Sequence, residues 1–210
     1  MSPPVTLLAT LALAAAAASP VQRLLESLPA DSVAGPLARF EAAQRGSVGA
    51  EAGLTLGRLH FARGEYRQAA AAFTRVTPRV EPARRAECRY WTGLALLGAG
   101  EHAQAHDAFR GAAGRESPRR AEALLGIALC WEAQRRPERA LETLQTLLSG
   151  DPGEAGAAAL ERTAALATAL RRPETAARAR DRLLREYPRS MEALRAGPAT
   201  ATAGRGASRP

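Results

Sequence analysis

His102 and His106 stand four residues apart, a spacing that places two imidazoles on one helical face within reach of one metal ion. No Glu follows His102 in the order a zinc-protease helix requires, and no third ligand is evident. With two imidazoles and no further ligand, the sequence assigns no metal. Cys88 and Cys130 form neither a CxxC nor a cluster, which rules out a disulfide framework and a thiolate zinc site. There is no GxSxG, no P-loop and no GxGxxG. The carboxylates recur about once per predicted helix, the pattern of a solvated face. These residues predict a protein that binds rather than catalyses, without a cofactor or a small-molecule substrate. An enzyme remains the alternative, and a pocket of converging carboxylates with raised pKa values would be its mark.

The elements that carry these residues are helices. Hydrophobic residues make up 46% of the 210 and aromatics only 4%, and much of the apolar content is Ala. Alanine favours close-packed helices and disfavours sheets. The formal net charge of +8 raises nucleic acid or an anionic membrane surface as a partner. Every basic residue apart from the histidines is Arg, however, with no Lys, no Asn and a single Ile, Ile127, the mark of a G+C-rich coding sequence. The arginines are scattered among carboxylates without a sustained basic run, which speaks against nucleic acid.

Leu7 to Ala18 reads LLATLALAAAAA, too short to span a bilayer, which takes about 20 residues. It fits the apolar core of a signal peptide ending in small residues, although the preceding MSPPVT has no Arg or Lys. The expectation is a signal peptide over 1–18 and a periplasmic or secreted product beginning near Ser19. If the run is not a signal peptide, the product is cytoplasmic. No later segment has 18 consecutive apolar residues.

The organising feature is an internal repeat. Ala69, Ala105, Ala140 and Ala176 are separated by 36, 35 and 36 residues. Pro82, Pro118, Pro152 and Pro188 follow them at offsets of 13, 13, 12 and 12. Arg135-Arg136-Pro137-Glu138 recurs as Arg171-Arg172-Pro173-Glu174. The small residues Gly57, Gly93 and Ala128 leave room for two helix backbones to approach. Gly64 and Gly100 sit where a C-cap needs positive φ, and Pro137 and Pro173 suit a helix's first turn. Asp151 with Glu154 matches a capping box. The pattern predicts helix pairs at 51–63 with 66–77, 83–99 with 102–113, 119–134 with 137–149, and 154–170 with 173–187. A degenerate pair over 19–50 precedes them, at Val21–Leu28 and Val33–Arg45. A short cap and a disordered tail follow over 189–210. Aligned by repeat, Cys88 and Cys130 are offset by about 10 Å along their helices, on axes about 8–10 Å apart. Two free thiols are expected.

The residues around the anchors resemble the tetratricopeptide pattern W-x2-L-G-x2-Y…A-x3-F…P. The first unit has Leu56-Gly57, His60 in the Tyr place, Gly64, Tyr66 and Ala69-x3-Phe73. The second has Gly93, Leu96, Gly100, His102 and Ala105-x3-Phe109. The third has Ile127-Ala128, Trp131 and Ala140-x3-Leu144. The fourth has Ala164, Ala167 and Ala176, with Arg180 in the Phe place, as suits a terminal cap. The resemblance implies an all-α, right-handed superhelix of antiparallel helix pairs with four repeats over 51–188. Tyr90-Trp91-Thr92-Gly93 and Tyr187-Pro188-Arg189-Ser190 resemble periplasmic members of the Tol–Pal coordinator type and the repeat lipoproteins of outer-membrane assembly. That implies an interaction scaffold in the bacterial envelope, although there is no lipobox Cys and no coiled-coil segment.

In the resembled family the first helix of each pair lines a concave groove. The carried-over positions are Glu51, Leu54, Arg58 and Phe61, then Glu87, Tyr90, Leu94 and Leu97. Next come Glu122, Leu125, Leu129 and Glu132, and last Glu161 and Thr168. Five carboxylates against one Arg imply a protein or peptide partner with a basic or amphipathic segment. The competing explanation is that Glu51, Glu87 and Glu122 occupy first turns, where the helix macrodipole favours carboxylates anyway.

Overall fold

The computed structural model describes residues 19–27 and 33–197. The expected signal peptide and all of the expected tail after Gly197 lie outside the described residues. Among the described residues there are eleven α-helices and no strand. They are α1 (Pro20–Glu26), α2 (Ala34–Ala43), α3 (Gly46–Ala62), α4 (Tyr66–Val76), α5 (Pro82–Gly98), α6 (His102–Ala112), α7 (Arg120–Ala133), α8 (Pro137–Leu148), α9 (Gly156–Ala169), α10 (Pro173–Glu186) and α11 (Met191–Ala196). The predicted elements are present, with most ends within two residues. Exceptions are α3, which starts five residues before Glu51, and α11, which the sequence reading left as a short cap.

The chain divides into two compact units, one up to Ala99 and one from Gly100. In the first, α3 and α4 pack as a pair and α5 packs on α4. Val21 of α1 and Leu37 of α2 meet Ala52 and Leu56 of α3 in one buried cluster. Phe73 and Val76 of α4 bury against Leu54 of α3 and Cys88 of α5 in another. Gly57 makes this possible: a Cβ there would lie 2.6 Å from the Phe73 ring. The aromatic cluster continues outward, with Trp91 stacked on Phe73 at 6.1 Å and Phe61 edge-on to Trp91 at 5.7 Å.

In the second unit α6, α7, α8, α9 and α10 each pack on the next. Phe109 of α6 lies over Gly126 of α7, where a Cβ would fall 2.6 Å from the ring. Ala140, Leu144 and Leu147 of α8 fill the core against Ala128 and Ala159. Leu160 and Ala164 of α9 meet Ala179 and Leu183 of α10. Arg180, in the Phe place of the last pair, is exposed.

The turn chemistry recurs. Gly64 and Gly100 have φ of +74° and +78°, as expected. Their equivalents one and two repeats on are not glycines: Arg135 and Arg171 adopt φ of 58° and 55°. A left-handed conformation costs an L-residue about 1–2 kcal/mol, so the repeat's turn geometry overrides local preference. Pro137 and Pro173 open α8 and α10 at the first positions. The capping box at Asp151 is a correction. Asp151 Oδ1 accepts from the Gly153 N–H at 3.1 Å, an Asx turn leading into a 3-10 turn at Gly153–Ala155. Gly153 has φ of +45°, which turns Glu154 out of capping register.

Candidate functional site

The first helices of successive pairs are α3 and α5 in one unit, and α7 and α9 in the other. On each pair an ion pair joins one first helix to the next. Arg58 Nη2 of α3 lies 3.3 Å from Glu87 Oε1 of α5. Arg162 Nη1 of α9 donates to both carboxylate oxygens of Glu132 on α7 at 3.0 Å. Arg195 of α11 reaches Glu161 of α9 at 3.3 Å. These bridges bring Arg58 together with Glu87, and set Glu132 and Glu161 on helix faces that meet a neighbouring helix.

The charge of those faces differs from the sequence count. Glu87 meets Arg58 and Arg84, Glu122 meets Arg119 at 2.9 Å, Glu132 meets Arg162 and Glu161 meets Arg195. The count of five carboxylates against one Arg omitted Arg84, Arg119, Arg162 and Arg195, which lie beside the carried-over positions. The faces are charge-balanced. Glu51 forms no ion pair among the described residues. It is half-buried beside a cleft of about 260 Å³ lined by Ser47, Val48, Leu54, Thr55, Arg58 and Arg84. The macrodipole explanation holds for Glu122 alone, because α3 and α5 carry no acidic residue in their first turns.

The apolar positions divide. Leu54 is only 5% exposed and belongs to the core. Phe61 is held edge-on by Tyr66 and Trp91, and Tyr90 packs edge-on to Trp91 at 6.1 Å. Leu94 and Leu97 on α5, and Leu125 and Leu129 on α7, are half-buried. Thr168 is exposed at the end of α9, its hydroxyl spent on the Ala164 carbonyl at 2.8 Å.

The chemistry-bearing residues are otherwise engaged. His106 packs on Trp131 with ring centroids 4.7 Å apart, and His60 pairs with Glu65. Among the described residues no three His, Cys, Asp or Glu side chains converge on a metal position. Cys88 and Cys130 are free and buried. Burial pushes the Cys130 thiol up to about 11 and raises that of Cys88, neither being activated as a nucleophile.

Sequence reasoning missed one cluster altogether. Glu41 of α2 is 3% exposed and accepts from Arg75 Nε and Nη2 at 2.9 and 2.7 Å and from Arg79 Nη1 at 3.1 Å. Arg79 also donates to the Gln44 carbonyl at 2.9 Å. Gly49 and Gly53 leave the space that the Arg79 guanidinium and the Glu41 carboxylate occupy. The bonded residues are 34 or more positions apart in sequence, so no local pattern signals them.

Helix pairs with small residues under a ring and positive-φ turns at one-repeat intervals define a helical-repeat protein. Residues 54–113 and 90–155 match the model of the tetratricopeptide repeat family, and the chain belongs to that family. Solved structures agree on the fold. MamA from Desulfovibrio magneticus RS-1 is 20% identical with a TM-score of 0.62, over 81% of this chain and 92% of that one. Another MamA structure is 18% identical with a TM-score of 0.64, over 75% and 88%. YrrB, described as a TPR protein with an unusual peptide-binding site, is 20% identical with a TM-score of 0.57, over 79% and 85%. No curated protein sequence matches the chain. Among the described residues, no helix is long and apolar enough to cross a membrane.

Proposed function

We propose that this protein is a non-enzymatic interaction scaffold that holds a partner polypeptide on the faces of its first helices. The observation that carries the reading recurs in each unit taken by itself: half-buried leucines on a first helix, flanked by a bridging ion pair. Leu94 and Leu97 lie on α5, whose Glu87 reaches Arg58, and Leu125 and Leu129 lie on α7, whose Glu132 reaches Arg162. The ion pairs hold neighbouring first helices in register and leave the leucines to anchor an amphipathic segment. Charge balance makes apolar side chains, rather than a basic stretch, the partner's main credential. YrrB, with its peptide-binding site, supports the class of ligand.

The test is capture from the protein's own cells. Leu97→Ser with Leu129→Ser is expected to cut recovery of specific partners at least about tenfold, the loss of two interface anchors. The melting temperature should fall by less than about 4 °C, since both leucines are only half-buried. Undiminished capture by the folded variant would remove the binding site from these faces.

The scaffold works outside the cytoplasm, in the bacterial envelope, on this reading. The apolar Leu7–Ala18 run with its Ala-x-Ala end supports export. Mass spectrometry of the protein from its native cells is expected to find a chain beginning near Ser19. A bulk population retaining the peptide Met1–Arg23 would make it a cytoplasmic scaffold instead.

A further inference from the structure

In the second unit, α7, α8, α9 and α10 pack consecutively and reverse direction at each connection. The α7–α8 and α9–α10 turns therefore emerge at the same end, and the α8–α9 link at the other. The end with the two turns carries Arg135, Arg136 and Arg139 from one and Arg171 and Arg172 from the other, all exposed. None of the five forms an ion pair among the described residues, whereas Arg162, Arg178, Arg182 and Arg195 of the same unit each do. Three carboxylates flank them, one being Glu132 in the last turn of α7, which is held by Arg162 at 3.0 Å. Glu174 is held by Arg178 at 3.2 Å, and Glu138 leaves the end with an excess of positive charge. Arg136 and Arg139 lie over the Trp131 ring, their guanidinium carbons 5.7 and 5.3 Å from its centroid.

We infer that this end of the second unit docks on an anionic lipid bilayer. The arginines stand on turn tips one repeat apart, and exposed tips meet a plane rather than wrap a strand. A bilayer offers anionic phosphates over a plane, and each arginine near it contributes severalfold to binding. A single-stranded nucleic acid would need open aromatic platforms. Trp131 offers none, because His106, Arg136 and Arg139 already pack on it. An acidic peptide would need a cleft, and these side chains project from turns.

The experiment compares three chains of identical length, so that the Leu7–Ala18 run contributes equally to each. They are the unmodified chain, Arg136→Gln/Arg139→Gln/Arg172→Gln, and the charge-matched Arg180→Gln/Arg185→Gln/Arg189→Gln. Each is co-sedimented with phosphatidylcholine vesicles with and without phosphatidylglycerol. The unmodified chain is expected to partition at least about tenfold more strongly onto the phosphatidylglycerol vesicles, falling steeply with salt. The first triple variant should lose that preference and the charge-matched variant keep most of it. Equal losses in the two variants, or equal binding to both kinds of vesicle, would overturn the proposal. So would a poly-glutamate peptide or a single-stranded oligonucleotide that binds as tightly and loses binding with the same first variant.

Discussion

Replacing Arg75 and Arg79 together with Met is expected to lower the stability of the first unit by about 3–5 kcal/mol, the cost of stranding a buried charge. Glu41 is 3% exposed, and its carboxylate is solvated by those two guanidiniums rather than by water. The reverse change behaves differently. The Arg75 and Arg79 side chains are 51% and 30% exposed, so in Glu41→Gln they rehydrate. The loss there should be nearer 1–2 kcal/mol, about that of a charged hydrogen bond. Adding Glu41→Leu to the double Met variant removes the stranded charge and should recover most of the stability, because an apolar replacement of a buried ionic cluster is often neutral. Urea unfolding followed by Trp91 fluorescence in a Trp131→Phe background reads the first unit. A double Met variant that costs under about 1 kcal/mol would place the cluster among ordinary surface pairs.

That cluster also marks where sequence reading stops. The repeat was legible because its determinants are local and periodic. Ala69, Ala105, Ala140 and Ala176 recur at nearly constant spacing, and each sits 0–4% exposed where two helices cross. Gly64 and Gly100 announced their turns because glycine adopts positive φ freely. Arg135 and Arg171 did not, since nothing in an arginine signals a left-handed turn; only alignment with the glycines does. Of the candidate face, the ion-paired positions Arg58, Glu87, Glu132 and Glu161 were found from the repeat register. Arg162, the partner of Glu132, was passed over because it stands one residue beyond the carried-over Glu161, and Arg195, the partner of Glu161, because it lies on α11, which the sequence reading left as a short cap. Leu54 was placed on that face too, but it is buried in the core with Phe73, Val76 and Cys88. Glu41 with Arg75 and Arg79 had no periodic signal at all.

The second large effect tests the fit of ring against glycine. Phe109 is fully buried, and Phe109→Ala should cost the second unit about 3–5 kcal/mol through lost burial and the cavity left behind. Gly126→Ala adds only a methyl group, yet its Cβ would fall 2.6 Å from the Phe109 ring, well inside van der Waals contact. Neither α7 nor the buried ring can move freely, so this variant should lose about 1–3 kcal/mol by overpacking. The two changes are not additive. With Phe109 already cut to Ala, the added methyl group meets space instead of a ring, and Ala is the better helix former by about 1 kcal/mol. Gly126→Ala should therefore become stabilising in the Phe109→Ala background, a reversal of sign rather than a smaller loss. Unfolding followed by Trp131 fluorescence in a Trp91→Phe background reads the cycle. If Gly126→Ala costs the same with and without the ring, the glycine is there for a reason other than Phe109. The equivalent cycle in the first unit pairs Phe73 with Gly57, where the approach is also 2.6 Å. The same reversal there would make room under a ring a property of the repeat rather than of one position.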